Sequence, residues 1–189
     1  MRRKSIADNS RPAPEQLLAA RDTTIPDVVA PGLRVLFAGI NPGLYSAATG
    51  YHFARPGNRF WPALCAAGFT DRVLRPDEQQ QLLPLGLGIT NVVARATARA
   101  DELTPAEIQA GARVLTAKVE RLAPQWLAVV GITVYRTAFG GPGATTGRQE
   151  QTLGGAGLWV LPNPSGLNAH ATGPKLAEMF RELREAAGL

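Results

Sequence analysis

Four short apolar runs punctuate the chain, at residues 33–40, 88–93, 126–131 and 158–161. Each is rich in Val, Leu and Ile, too short for an ordinary helix, and bounded by Gly, Asn or Pro, which is the pattern of a buried strand. Between these runs the period lengthens to that of a helix. Thr104-Pro105-Ala106-Glu107 reads as a capped start, with Thr at the cap, Pro at the first helical position and Glu closing a capping box. Ile108, Ala112, Leu115, Val119 and Leu122 then recur at helical spacing. Further helices are predicted over residues 15–21, 58–68, 77–83 and 132–139. A last one opens at Pro174, with Leu176, Met179, Phe180 and Leu183 on one face. Residues 41–57 and the Gly- and Thr-rich residues 140–157 read as loops. Buried strands alternating with amphipathic helices imply an α/β fold, a three-layer sandwich whose short, mainly parallel central sheet is flanked by helices.

Composition narrows the classes. The 189 residues fit one domain, and 45% hydrophobic against 19% charged residues is enough apolar material for a core. Residues 1–31 are polar, basic and broken by prolines, and read as a mobile arm outside a single domain over 32–189. No apolar run approaches a membrane span, and Met1-Arg2-Arg3-Lys4 leads into polar residues instead of a signal-peptide core. A cytoplasmic protein is expected. The single Cys65 excludes disulfide scaffolds and thiolate metal clusters, and two histidines, His52 and His170, leave little material for a metal site. No metal or cofactor is expected. The formal charge of +5 suits a polyanionic partner without proving one.

In parallel sheets ligands collect outside the carboxyl ends of strands. Two loops there carry an Asn-Pro pair: Gly39-Ile40-Asn41-Pro42-Gly43 and Leu161-Pro162-Asn163-Pro164-Ser165-Gly166-Leu167. A following proline biases the asparagine backbone to an extended geometry, which can aim the side chain; each loop also reads as a plain turn. Tyr51-His52-Phe53-Ala54-Arg55-Pro56-Gly57-Asn58-Arg59-Phe60-Trp61 adds aromatics beside arginines and glycines. That composition suits a pocket that stacks a planar ring, with Phe60 and Trp61 reading as core and Phe53 as the stacking candidate.

Together with Gly88-Ile89-Thr90-Asn91-Val92-Val93, and in this order, these motifs resemble the mismatch-specific uracil-DNA glycosylases and their thymine-DNA glycosylase relatives, within the uracil-DNA glycosylase superfamily. The resemblance extends over about residues 33–187. It implies a DNA glycosylase of base excision repair that flips a nucleotide from the duplex and hydrolyses its N-glycosidic bond, leaving an abasic site. It places Asn41 as the catalytic residue, its amide oxygen holding the attacking water, and Asn163 where other branches carry a histidine near the leaving base. Phe53 would stack on the base, the backbone around Gly43 and Phe53 would read its edge, and Ser46 would lie near the pyrimidine 5-position. Leu167 matches the wedge that fills the vacated stack, while Gly166 and Asn168 match backbone contacts to the orphaned guanine. Double-stranded DNA with uracil or a mismatch is the implied partner, and a monomer the implied state.

Two departures stand out. Ala169 takes a place where relatives often have arginine. Asp101, in the loop before the capped helix, is a candidate to supply the base strength that an amide lacks, the competing reading being a solvated carboxylate. Arg95 and Arg99 read as holding phosphate or neighbouring carboxylates. The other function class is a non-catalytic DNA-binding module on the same scaffold.

Overall fold

A computed structural model describes residues 11–166 and 172–189. Its strands are β1 (Val35–Gly39), β2 (Leu87–Asn91), β3 (Trp126–Val130), β4 (Gly147–Leu153) and β5 (Ala156–Leu161). They form one sheet in the order β2-β1-β3-β5-β4, parallel throughout except for the β4–β5 pair. The helices are α1 (Pro14–Ala19), α2 (Leu44–Thr49), α3 (Phe60–Ala66), α4 (Pro105–Leu122), α5 (Ile132–Phe139) and α6 (Gly173–Ala186), with 3-10 turns at Pro76–Leu85 and Ala100–Glu102.

Strand alternation divides the core in two. Val35, Phe37, Trp126, Ala128 and Val130 face one side, where Phe60 and Leu64 of α3 and Leu176, Phe180 and Leu183 of α6 cover them. Leu36, Ala38, Leu127 and Val129 face the other, beneath α4 and α5. The central strands β1 and β3 are thus buried on both faces, as their unbroken apolar runs require. Phe37 sits at the centre of an aromatic cluster, edge-on to Phe60 at 5.4 Å and stacked with Phe180 at 5.9 Å. The predicted cap of α4 is present: Thr104 Oγ1 accepts from Glu107 N at 3.2 Å, and Glu107 Oε2 accepts from Thr104 N at 2.9 Å. All five residues predicted on its apolar face are buried.

Three segments differ from the sequence expectation. β4 was expected to be loop; its residues are polar because it is an edge strand with both faces largely exposed. Its hairpin with β5 turns through Gly154 and Gly155, both at positive φ (+55° and +87°), the geometry of a two-residue turn. α2 lies inside the expected loop after Asn41, capped at its start by Gly43 and stopped by Gly50 at φ +79°. From Ala20 onward the expected mobile arm is packed against the domain. Val28 is 1% exposed and exchanges backbone hydrogen bonds with Ile89 at 2.9 and 2.8 Å. Asp27 accepts from Thr90 Oγ1 at 2.7 Å and pairs with Lys118 of α4. Proline and polar residues disguised this segment because it docks through a few apolar residues and backbone groups, not through a helix or strand of its own.

Candidate active site

The register places Gly39 of β1 beside Asn91 of β2, and Val130 of β3 beside Leu161 of β5. All four parallel strands therefore end at one edge, where the strand order switches direction between β1 and β3, the usual ligand position in such sheets. A cavity of about 160 Å³ opens there, between Asn41, Gly43, Ser46, Phe53, Asn91 and Asn163. That volume is of the order of an apolar cavity that accepts one benzene ring, about 150 Å³.

Asn41 follows β1 directly, and its amide is oriented by two acceptors. Nδ2 donates to Arg95 O and to Thr97 Oγ1, each at 2.8 Å. A carbonyl can only accept, so the nitrogen must face Arg95. The Thr97 hydroxyl spends its own proton on Arg99 O at 2.8 Å and is left as an acceptor toward Asn41. Both N–H groups are thus used, and Oδ1 is the atom left for the cavity. The Arg95 backbone is itself steadied, since its guanidinium bridges Asp22 at 2.7 Å and Glu107 at 2.8 Å. The carboxylate-holding reading of Arg95 thus describes its contacts.

Phe53 adopts φ +51°, a strained conformation for a bulky residue. Bonds on both flanking residues hold it there: His52 N donates to Gln79 Oε1 at 2.9 Å, His52 O accepts from Trp61 Nε1 at 3.2 Å, and Ala54 N donates to Ser46 Oγ at 3.2 Å. The Phe53 ring stacks on Phe60 with centroids 4.0 Å apart, so its opposite face is the one available to a ring in the cavity. Gly39 makes room for this arrangement. A Cβ there would lie 2.7 Å from Asn91 Oδ1 and 3.2 Å from Phe53 Cζ.

Ser46, on α2, is buried at the cavity wall. Gly43 caps the same helix and bridges to Thr97. Asn163, after β5, accepts from Ser165 N at 3.0 Å through Oδ1, an Asx turn that fixes its side chain at the cavity. Gly166 lies against the segment before α3, where its carbonyl accepts from Arg59 Nη2 at 3.0 Å. A Cβ on Gly166 would come within 2.7 Å of Gly57 O, so this approach requires glycine. Leu167, Asn168, Ala169 and His170 lie outside the described residues.

Asp101 is not brought to the cavity. It sits in the 3-10 turn Ala100–Glu102 with a side chain 62% exposed and is ion-paired with Arg99, whereas Thr97, Ala98 and Ala100 of the same stretch line the wall. The turn directs the carboxylate outward. Sequence reasoning missed the partners of the site: Thr97, His52, Asn91, and Ile25 from the N-terminal segment. Asn91 had a legible signal, as a polar residue closing an apolar strand. His52 is 2% exposed; burial, above all, holds its imidazole below the ordinary histidine range. Among the described residues no three His, Cys, Asp or Glu side chains converge as a metal site, and no helix is long and apolar enough to cross a membrane.

Fold and site define an α/β protein whose cavity, at the carboxyl edge of a parallel sheet, joins oriented amides to a stacking ring. The sequence model of the Uracil DNA glycosylase superfamily matches residues 26–187, and the chain belongs to that superfamily. A solution NMR structure from Methanosarcina acetivorans, of a candidate uracil DNA glycosylase, shares the fold with a TM-score of 0.59 and 18% identity, over 86% of this chain and 98% of that one. Membership carries a DNA glycosylase role of the uracil-DNA glycosylase type, a repair hydrolase acting on DNA.

Proposed function

We propose that this chain excises uracil from DNA, preferentially where it faces guanine, as a monofunctional, mismatch-specific enzyme that acts as a monomer and leaves an abasic site. The observation that carries this reading is the Asn41 amide, whose two N–H donors are spent on Arg95 and Thr97 so that Oδ1 faces a single-ring cavity walled by Phe53.

The chemistry follows from those parts. A flipped uracil enters against Phe53, replacing the stacking lost in the duplex. Asn41 Oδ1 accepts a hydrogen bond from a water and holds its oxygen toward C1′. The bond from that oxygen to C1′ forms as the bond from C1′ to N1 breaks, the electron pair leaves on the uracil ring, and the proton passes to solvent. An amide is too weak a base to take that proton, so Asn41 works by placing the water. The rate is accordingly modest. Asn163, held by its own turn, stands at the cavity to meet the developing charge on the leaving base. The preference for guanine on the opposite strand draws support from the Pro-Ser-Gly-Leu-Asn motif, in which Leu167 would fill the vacated stack and Gly166 and Asn168 would meet the orphaned guanine.

The test is a duplex with one uracil opposite guanine or adenine, incubated with enzyme and then heated in alkali. Strand scission at uracil, faster opposite guanine and abolished in Asn41→Ala, is the expected result. Binding without scission would identify a non-catalytic DNA-binding module, and equal rates opposite both bases would remove the mismatch preference.

A further inference from the structure

Residues 20–28 run as a strap along β2 and past its end: Val28 pairs antiparallel with Ile89, Asp27 bonds Thr90, and residues 22–23 bond Ala96. Residues 95–97 lie between this strap and the loop that carries Asn41, with the alternation of an extended chain. Ala96, fully buried, faces the strap: Asp22 N donates to Ala96 O and Ala96 N donates to Thr23 O, each at 2.9 Å. Its two neighbours face the other way. Arg95 O and Thr97 Oγ1 accept from Asn41 Nδ2, and Thr97 N donates to Pro42 O at 3.1 Å. A shift of the strap is therefore passed to the carbonyl that orients Asn41.

The Arg95 side chain fixes the same residue from outside. Its guanidinium is a planar fork whose donors point in set directions. Nη1 donates to Asp22 Oδ1 at 2.7 Å and Nε to Glu107 Oε1 at 2.9 Å. Glu107 is a fixed post, because its other oxygen closes the cap of α4. Asp22 holds its place at φ +62°, a left-handed conformation that costs most residues energy and Asp and Asn least. An arginine on a loop beside the cavity of a DNA-acting protein is an ordinary ligand for phosphate. Here two carboxylates occupy it, so it acts inward, on its own backbone. We propose that Asp22 is a positioning residue for excision: through the Arg95 fork it keeps Arg95 O against Asn41 Nδ2, and so keeps Asn41 Oδ1 toward the attacking water. This inference rests on the uracil-excision reading above.

The strap supplies its own control. Arg21 pairs with Glu102 at 2.6 Å, a partly exposed ion pair between the same two stretches, but the bond Glu102 accepts from Arg99 N does not need Arg21. Asp22→Asn keeps a residue that tolerates the left-handed backbone and removes the charge, Arg95→Met removes both arms of the fork, and Arg21→Gln removes the control pair. Each is checked by thermal melting. Single-turnover release of uracil from a U:G duplex, followed over a range of enzyme concentrations, gives a limiting rate and a half-saturating concentration. Hydrogen exchange of the Asn41 side-chain amide is read by 15N NMR, with the signal assigned by its loss in Asn41→Ala. The limiting rate should fall about two- to five-fold in Asp22→Asn, the range of an exposed ion pair, and about ten-fold in Arg95→Met, the scale of one charge-assisted hydrogen bond. Both should keep the half-saturating concentration and exchange the Asn41 amide faster, while Arg21→Gln matches wild type in all three. A loss confined to the half-saturating concentration would make Arg95 a phosphate ligand and overturn the proposal. Equal losses in Arg21→Gln and Asp22→Asn, or unchanged Asn41 exchange in Asp22→Asn, would overturn it too. Where Arg95→Met fails to fold, Asp22→Asn against Arg21→Gln decides. Wild type that releases no uracil overturns the excision reading itself, and the Asn41 exchange rates then still decide whether Asp22 holds the amide.

Discussion

Replacing Thr97 by valine isolates the orientation of Asn41 from its chemistry. Thr97 is 1% exposed, and valine keeps its shape while removing the hydroxyl that accepts from Asn41 Nδ2 and donates to Arg99 O. In the wild-type site, turning the Asn41 amide over costs two neutral hydrogen bonds, about 2 kcal/mol at roughly 1 kcal/mol each. It also adds repulsion between Oδ1 and the Arg95 carbonyl. Thr97→Val removes one of the two bonds, so the preference for Oδ1 toward the cavity weakens by about 1 kcal/mol and the remaining amide is looser. A fall of about 5-fold in single-turnover excision of uracil is expected when that loss is expressed in full in holding the water at C1′, because about 1.4 kcal/mol is a factor of ten. Thr97→Ser, which keeps the hydroxyl, should return most of it. The two readouts are release of uracil from a U:G duplex under enzyme excess and a thermal melt that checks folding. Wild-type rates in Thr97→Val, beside an inactive Asn41→Ala, would refute the idea that this hydroxyl orients the amide. A loss as deep as that of Asn41→Ala would equally refute it, since orientation alone should leave part of the rate.

Phe53→Ala removes the stacking face and relieves a strained φ, so excision should fall about 10- to 100-fold, following roughly 1–3 kcal/mol for base stacking on an aromatic ring, while the melting temperature changes much less. Asp101→Asn should leave single-turnover excision within about two-fold of wild type, because that carboxylate is exposed and paired with Arg99 away from the cavity; a collapse of activity would restore it to the mechanism. Stability should also depend on pH through His52. Its pKa is lowered in the folded state, so the unfolded chain binds the proton first as pH falls below about 6.5, and stability present above that value is lost toward the depressed pKa. Urea melts at pH 7.5 and 5.5 should show a larger difference in wild type than in His52→Gln.

The elements most legible in the sequence were those whose burial has a period. The strands around Val35 and Trp126 are covered on both faces and announce themselves as unbroken apolar runs, and α4 declares both its cap and its face. β4 has no apolar face to declare, and α2 is six residues between two glycines, too short for a period to register. At the site, Asn41, Gly43, Ser46, Phe53 and Asn163 were legible through motifs and do meet at one cavity. Asp101 was misplaced because sequence gives proximity along the chain and no direction: within one stretch Thr97 points in and Asp101 points out. Thr97 and His52 were illegible because they serve other side chains, and such a role leaves no pattern in spacing.

The docked N-terminal segment links these features. Two amides stand at neighbouring strand ends, Asn41 after β1 and Asn91 closing β2, and an amide is ambiguous until something that only accepts, or only donates, faces it. Each stands near a backbone carbonyl: Arg95 O accepts from Asn41 Nδ2 directly, and Pro26 O lies 2.9 Å from Nε2 of the His52 ring, whose Nδ1 is 3.4 Å from Asn91 Nδ2. Both carbonyls depend on the segment before β1, since Pro26 belongs to it and the Arg95 guanidinium is tied to Asp22 within it. Backbone bonds between residues 22–23 and Ala96 tie the same two stretches together. A polar, proline-broken segment is well suited to this task, because proline leaves a carbonyl with no N–H of its own to satisfy and helps hold it in an extended chain. The polarity of the cavity is therefore set from outside the sheet, by residues whose sequence suggested only a tail.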